Sequence, residues 1–125
     1  MANVLVVDDE LSIQRMLGYL LRKEEHDVTV AGSAFEALGY LETRSMDLIL
    51  LDVAMPEMNG IALLQYLRKK PEYKTMPIVM LTASTNERHR IEAEVAGADA
   101  YLNKLANPDE LVTVINNVLQ RHQVE

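Results

Sequence analysis

The chain has 125 residues, of which 49% are hydrophobic and 25% are charged, proportions typical of one soluble globular domain. Cysteine is absent, which excludes a disulfide framework, a cysteine-ligated zinc site and a thiol nucleophile. Nineteen acidic residues against twelve basic ones give a formal net charge of −7, which argues against nucleic acid or an anionic membrane as the main partner. We therefore expect a single domain over residues 1–125 that binds a cation or a basic protein surface.

No segment approaches the roughly 20 consecutive apolar residues that cross a bilayer, and the N-terminal residues lack the apolar run of a signal peptide. The sequence thus predicts a cytoplasmic protein with no membrane contact and no direct binding to nucleic acid.

Short apolar runs alternate with longer segments of helical period, a pattern typical of a parallel α/β sheet. The predicted strands cover residues 3–7, 28–31, 48–51, 78–81 and 100–102. The run at 48–51 is apolar on both faces, which predicts a sheet covered by helices on each side.

Five helices are predicted between and after these strands. The first has an apolar stripe formed by Ile13, Met16, Leu17, Leu20 and Leu21. Ser33 and Glu36 have the spacing of a capping box that opens the second. The third covers about residues 59–70 and is stopped by Pro71, and the fifth opens at the Asn107 cap.

The fourth predicted helix, about residues 85–96, has a different composition. Ile91 and Val95 are its only bulky aliphatic residues, and charged side chains occupy most of the rest. We expect it to be the least firmly packed element, with a low free energy of local opening.

Polar residues stand at the carboxyl ends of four predicted strands. Asp8 and Asp9 follow the first strand, Asp52 the third, Thr82 the fourth and Lys104 the fifth. Because the carboxyl ends of parallel strands lie along one edge of a sheet, these side chains should converge there.

Neighbouring carboxylates repel one another by roughly 3 kcal/mol at about 5 Å and an effective dielectric of 20. Such a cluster either takes up a proton or holds a cation. Oxygen ligands alone favour a hard cation, and a site with few carboxylates favours Mg²⁺, which in turn suits phosphate chemistry. Thr82 and Lys104 would then surround an anion placed on Asp52.

Each of these residues also has a simpler interpretation when it is taken alone. Asp9 or Glu10 could open the first helix, Asp52 could start a turn, and Thr82 could cap the fourth helix. Lys104 alone is an ordinary surface lysine. Their joint placement at one edge favours a functional site.

Four motifs carry a family resemblance: VLVVDDE at 4–10, LLDVAMPEMNG at 50–60, MLTA at 80–83 and GADAYLNK at 97–104. In order and spacing they resemble the receiver domain of two-component response regulators, over the whole chain. The resemblance implies a flavodoxin-like, doubly wound (βα)5 fold with a parallel sheet in the order 2-1-3-4-5. It also implies Mg²⁺-dependent phosphorylation of an aspartate by the phosphohistidine of a sensor histidine kinase or histidine phosphotransfer protein.

The same resemblance assigns roles to the acidic residues. It implies that Asp52 is the phosphoacceptor and that Asp9 is a direct Mg²⁺ ligand. Asp8 would act on the metal partly through water, and the backbone carbonyl of Ala54 would be a further ligand. Gly60 would let the backbone turn tightly before the third helix.

The resemblance further implies a switch. Thr82 would hydrogen-bond the phosphoryl group, Lys104 would pair with it, and Tyr101 would turn inward as Thr82 moves. We expect the surface of helix four, strand five and helix five to change with it and to meet a downstream effector protein or a fused output domain. The domain would catalyse only its own phosphorylation and dephosphorylation, and so would not be an enzyme in the ordinary sense.

One position departs from the family pattern. Leu105 follows the lysine where the family usually has a proline in a cis peptide bond, and we expect a trans Lys104–Leu105 bond. Ala54 and Ser84, both small, would flank the entry of the water that hydrolyses the acyl phosphate. His26, His89 and His122 all have polar neighbours in the chain and are predicted to lie on the solvated surface.

Three alternatives compete with this interpretation. A receiver that docks without being phosphorylated is suggested by Leu105. An aspartyl-phosphate hydrolase of the haloacid dehalogenase type would need its nucleophile and acid two residues apart, whereas Asp8 and Asp9 are adjacent. A flavodoxin-like FMN protein would need a phosphate-binding first loop, which the acids at 8–10 would repel.

Overall fold

A computed structural model describes residues 1–55, 58–83 and 86–123. Its strands are β1 (Asn3–Val7), β2 (Asp27–Ala31), β3 (Leu48–Asp52), β4 (Ile78–Thr82) and β5 (Ala100–Asn103). Its helices are α1 (Leu11–Lys23), α2 (Ala34–Thr43), α3 (Gly60–Arg68), α4 (Glu87–Ala96) and α5 (Pro108–Gln123), with a short 3₁₀ turn at Pro71–Tyr73. Every predicted strand is present, and the boundaries shift by one residue at most.

The five strands form one parallel sheet in the order β2-β1-β3-β4-β5, which confirms the predicted topology. Successive strand residues point to opposite faces, so β1 contributes Val4 and Val6 to one core cluster and Leu5 and Val7 to the other. One cluster packs against α1 and α5, and the other against α2, α3 and α4. Both faces of the sheet are therefore covered, as its apolar strands predict.

The predicted helix starts are largely reproduced. Ser33 Oγ accepts a hydrogen bond from Glu36 N at 3.1 Å, but the Glu36 carboxylate bonds to Gly32 N rather than to the cap residue itself. Asn59 caps α3 through Ala62 N at 2.8 Å.

Helix α3 ends at Arg68, two residues earlier than predicted. Pro71 holds the preceding Lys70 in an extended conformation, with φ −92° and ψ 131°, which is incompatible with a helix that runs to Lys70.

Helix α4 is anchored by small residues. Ala93 is the one fully buried residue of its ten, whereas Ile91 and Val95 are 49% and 84% exposed. The weak packing expected from its composition is present, and its two bulky aliphatic side chains point to solvent.

The prediction that the histidines lie on the solvated surface is wrong for His26, which is buried. Its Nδ1 accepts a hydrogen bond from Ala2 N at 3.1 Å, and its Nε2 lies 3.3 Å from Asn116 Oδ1. The ring therefore ties the start of β1 to α5. His122 is half-buried, and its Nε2 lies 3.1 Å from Asp99 Oδ1.

None of the helices in the described parts of the chain combines the length and apolar character needed to span a bilayer.

Candidate functional site

The carboxyl edge of the sheet collects the polar residues that the sequence places at the strand ends. Asp8 follows β1, Asp52 and Thr82 are the last residues of β3 and β4, and Lys104 follows β5. All four side chains are buried, an unusual environment for such polar groups. The topology thus brings together residues as distant in sequence as Asp8 and Lys104.

Asp8, Asp9 and Asp52 form an acidic cluster in which one carboxylate oxygen from each residue lies within 4.8 Å of the others. Asp8 and Asp52 are buried and Asp9 is exposed, so the cluster opens to solvent through Asp9. Asp8 Oδ1 accepts a hydrogen bond from Glu10 N at 2.8 Å, which fixes the orientation of that carboxylate.

Lys104 stands between the two buried carboxylates. Its Nζ lies 2.8 Å from Asp8 Oδ2 and 3.1 Å from Asp52 Oδ2, and it also donates to Glu10 Oε1 at 2.9 Å. The backbone of the lysine is held by a hydrogen bond of 2.7 Å from Lys104 N to Thr82 O. The Lys104–Leu105 peptide bond is trans, as expected, and the ammonium group reaches the cluster in this geometry.

Glu10 is a site residue that sequence reasoning treated as a helix opener. It stands at the N-cap position of α1, yet its side chain makes no capping hydrogen bond and instead contacts Lys104. Its place directly after the two aspartates at the end of β1 is the signal that could have identified it.

The cluster shifts the pKa of its members in a way that follows from burial and charge. Burial and the charge of Asp8 raise the pKa of Asp52 from 3.8 to about 6, against the opposing effect of Lys104. Burial opposes the charge of Lys104, but hydrogen bonds to Asp8, Glu10 and Asp52 raise the pKa of its ammonium group overall. A single lysine therefore does not fully compensate the buried carboxylates.

The donor set fits a hard divalent cation. Carboxylate oxygens within 4.8 Å of one another are close to the span of an octahedral site, in which opposite ligands lie about 4 Å apart. Asp8 Oδ2 is buried and, apart from its contact with Lys104, has no aligned hydrogen-bond donor in the described parts of the chain. Ala54 lies beside the cluster, where its amide donates to Asp52 Oδ1 at 3.2 Å.

Gly60 is required for space rather than for a tight turn. A Cβ built on Gly60 would stand 1.9 Å from the carbonyl oxygen of Asp52, and the residue does not occupy the left-handed region. Gly60 N also donates to Val53 O at 2.8 Å. The start of α3 therefore packs directly on the backbone of the predicted phosphoacceptor, and the expected turn-based explanation is wrong.

Tyr101 is partly buried on β5 and packs against the core cluster shared with α2, α3 and α4. Its hydroxyl oxygen is buried without a hydrogen-bond partner in the described residues. Thr82, the other predicted switch residue, ends the neighbouring strand opposite Asn103.

His89 is half-buried on α4, whereas the sequence predicts it on the solvated surface, and its Nδ1 has no hydrogen-bond partner in the part of the chain that the structure describes. It lines a cavity of about 310 Å³ together with Ala54 and Asn59. Ser84, which we expect beside the entry of the hydrolytic water, and Pro56, in the motif after Asp52, lie outside the described residues.

Comparison with known proteins agrees with this geometry. The sequence model of one protein family, the response regulator receiver domain, matches residues 4–116. The chain belongs to this family. It is 36% identical to the crystallised chemotaxis protein CheY4 of Vibrio cholerae, with a TM-score of 0.88, 94% of this chain and 98% of that chain being covered.

Relatives of this receiver domain differ in length. A Leptolyngbya boryana protein, described as an uncharacterized 14.6 kDa protein in the sodA1 3′ region, is 40% identical over 90% of this chain and 86% of its own. The alkaline phosphatase synthesis transcriptional regulatory protein PhoP of Bacillus subtilis is 39% identical over 98% of this chain. The receiver chain spans about half the length of PhoP.

Receiver domains are the phospho-accepting signalling modules of two-component systems, and response regulators interact with histidine kinases and effectors. The fold described above is the fold of this family.

Proposed function

We propose that this receiver takes a phosphoryl group on Asp52 from the phosphohistidine of a sensor histidine kinase or a histidine phosphotransfer protein. The observation that carries the proposal is the buried contact of Lys104 Nζ with both Asp52 Oδ2 and Asp8 Oδ2, at 3.1 and 2.8 Å. Lys104 therefore stands beside the carboxylate that would carry the phosphoryl group, where its positive charge can stabilise the added anion.

In the transfer, an Asp52 oxygen attacks phosphorus, the nitrogen–phosphorus bond of the donor breaks, and the histidine leaves as neutral imidazole once it is protonated. Lys104 is protonated throughout, because its pKa is raised, and it can exchange its contact with the carboxylate for one with the phosphoryl oxygens. Thr82, at the end of β4, would hydrogen-bond the same group.

Asp9 and Asp52 would hold Mg²⁺, with Asp8 acting partly through water and the Ala54 carbonyl as a further ligand. When bound, the ion would neutralise charge on the transferring phosphoryl oxygens. The acidic cluster, which lacks nitrogen and sulfur donors among its members, supports this assignment.

The output would be read on the surface of α4, β5 and α5. Helix α4 is held by little buried surface, and the buried hydroxyl of Tyr101 has no partner in the described residues, so both can respond when Thr82 moves toward a phosphoryl group. The reader would be an effector protein or a fused output domain. We further propose that residues 1–125 form one cytoplasmic domain that does not itself bind nucleic acid or membrane.

Docking without phosphorylation was suggested by Leu105. Lys104 Nζ reaches Asp52 although the Lys104–Leu105 peptide bond is trans. This contact favours a receiver that is phosphorylated over one that only docks. A hydrolase of the haloacid dehalogenase type would need a nucleophile and an acid two residues apart. The acid two residues beyond Asp8 is Glu10, but its carboxylate is paired with Lys104 at 2.9 Å. The aspartates Asp8 and Asp9 are adjacent.

The test is incubation of the full chain with acetyl phosphate and MgCl₂, followed by intact mass and peptide mapping. We expect one added phosphoryl group on Asp52 and none in Asp52→Asn. Labelling that persists in Asp52→Asn would reject the acceptor, sustained phosphate release from an unrelated phosphomonoester would favour the hydrolase, and no labelling of the unaltered chain would favour the docking module.

A further inference from the structure

A groove of about 560 Å³ lies at the amino-terminal end of the sheet, away from Asp52. It is lined by the start of the edge strand β2, including Val28 and Thr29, and by Arg22 and Arg44. The function proposed above uses none of these residues.

The free edge of β2 presents backbone groups that no strand of the described chain covers. Asp27 N donates to Ala2 O at 2.9 Å, and Ala31 O accepts from Asp8 N at 3.1 Å, so the backbone of both residues faces β1. Because successive residues of a strand direct their N–H and C=O groups to alternate sides, those of Val28 and Val30 point to the free edge. This edge can therefore receive an added strand.

The two arginines flank this edge from opposite faces of the sheet. Val28 and Val30 pack into the cluster covered by α1, the helix that carries Arg22. Thr29 points to the other face, where Arg44 Nη1 donates to Thr29 Oγ1 at 3.1 Å. A strand added to β2 would thus have one guanidinium group on each side.

The guanidinium group of Arg44 is held by its contacts with Thr29 and Tyr40, whereas Arg22 lies exposed along α1. Arg44 lies over the ring of Tyr40, 4.9 Å from its centroid. Arg22 folds over Gly18, where Nη1 lies 2.8 Å from the position a Cβ would take. Neither arginine forms an ion pair within the described ranges, although the chain carries a net charge of −7.

We propose that the free edge of β2 binds an extended acidic segment of a partner protein as an added strand, with one carboxylate facing Arg22 and another facing Arg44. Side chains of an added strand alternate between the faces, so acids an odd number of positions apart reach both arginines and acids an even number apart reach one. The exposed carboxylate of Asp27 would repel an acidic side chain at the start of β2. We therefore expect the partner's acids to lie beside Val28 to Val30.

The test uses the full chain and two labelled peptides of equal composition, rich in Thr and Val, whose two aspartates are either adjacent or separated by one residue. We expect the adjacent pair to bind about fivefold more tightly at low salt, and less so as salt increases. Arg22→Gln or Arg44→Gln should each abolish this difference. Lys74→Gln, which removes an equal charge from an exposed lysine without an ion pair in the described residues, should preserve it.

A second variant tests the strand geometry. Val28→Pro removes an N–H that points to the free edge without removing a bond to β1, so peptide binding should fall at least fivefold while Asp52 labelling and the melting temperature report a folded chain. Unchanged binding would overturn strand addition.

Equal affinity of the two peptides, or an equal loss with Lys74→Gln, would overturn the proposal in favour of net charge. Arginine-dependent binding of inorganic pyrophosphate without peptide binding would overturn it in favour of a small-anion site. A dimer lost in Arg44→Gln would overturn it in favour of a second copy of the chain.

Discussion

The ammonium nitrogen of Lys104 lies 3.1 Å from Asp52 Oδ2 and 2.8 Å from Asp8 Oδ2, so one buried cation separates two buried carboxylates. The carboxylates repel each other, and this repulsion contributes to the raised pKa of Asp52. The site is therefore short of positive charge until a cation arrives. Stability, metal binding and pH are linked through this one arrangement.

Lys104→Met should destabilise the metal-free chain by about 3 kcal/mol at pH 7.5, because the change leaves Asp8 and Asp52 buried without their cation. The loss should shrink at pH 5, where Asp52 takes up a proton, and added Mg²⁺ should recover part of it at pH 7.5. Urea denaturation at both pH values measures these differences. Lys74→Met is the matched control, and an equal effect of the two substitutions would contradict a buried ion pair.

Asp52→Asn should stabilise the metal-free chain at pH 7.5 and have little effect near pH 3.5. The pKa of Asp52 is raised from 3.8 to about 6 in the folded state, so folding favours the protonated carboxyl. Stability associated with this group is complete below pH 3.8 and is lost as the pH rises through 6, by at most about 3 kcal/mol.

Denaturation of both forms from pH 3.5 to pH 7.5 checks this sign. Millimolar MgCl₂ should reduce the stability difference between Asp52→Asn and the unaltered chain at pH 7.5. The ion should bind the unaltered chain more tightly, because only that chain has a carboxylate at position 52. A stability difference that is constant across the pH range would show that ionisation of Asp52 is not its cause.

The fold and the clustering of Asp8, Asp52, Thr82 and Lys104 could be predicted because both follow from local pattern and parallel topology. Apolar runs mark strands, and the residue after each run stands at the carboxyl edge whatever the details of packing. These predictions need no knowledge of which side chains touch.

Contacts between distant residues could not be predicted in this way. His26 has charged neighbours in sequence and looks solvated, yet it contacts Ala2 and Asn116, which lie 24 and 90 positions away. Glu10 meets Lys104 across 94 positions. Such pairings depend on how helices settle on the sheet, which hydrophobic periodicity does not specify.

Gly60→Ala should destabilise the chain by roughly 3 kcal/mol and slow phosphorylation of Asp52. The new methyl group would stand 1.9 Å from Asp52 O, so α3 and the end of β3 must separate. Gly39→Ala is the matched control, because a Cβ there meets no atom within 4 Å, and an interior helix glycine replaced by alanine should gain about 0.5–1 kcal/mol.

Thermal denaturation and the rate of labelling by acetyl phosphate measure both glycine variants. If Gly60→Ala keeps the labelling rate of the unaltered chain, the close approach of α3 to Asp52 does not position the acceptor.

Arg68→Met should cost about 3 kcal/mol of stability without changing the chemistry at Asp52. The guanidinium group donates to the carbonyl oxygens of Tyr73, Met76 and Gly97 and to the carboxylate of Asp99, and its side chain is only 15% exposed. Removing it takes the arginine donor from the carbonyl oxygens of Met76 and Gly97. Tyr73 O still accepts from Met76 N, and Asp99 Oδ2 still accepts from Ile78 N.

The cost of Arg68→Met should appear as a lower urea midpoint with an unchanged slope, while the folded fraction is still labelled at Asp52. Lys69→Met, at the neighbouring exposed position, removes the same charge and should change stability by less than about 0.5 kcal/mol. Similar costs for the two substitutions would mean that water satisfies those carbonyl groups. A large cost for Arg68→Met alone would show that this arginine joins α3 to the start of β5 from the end of the sheet opposite the acidic cluster.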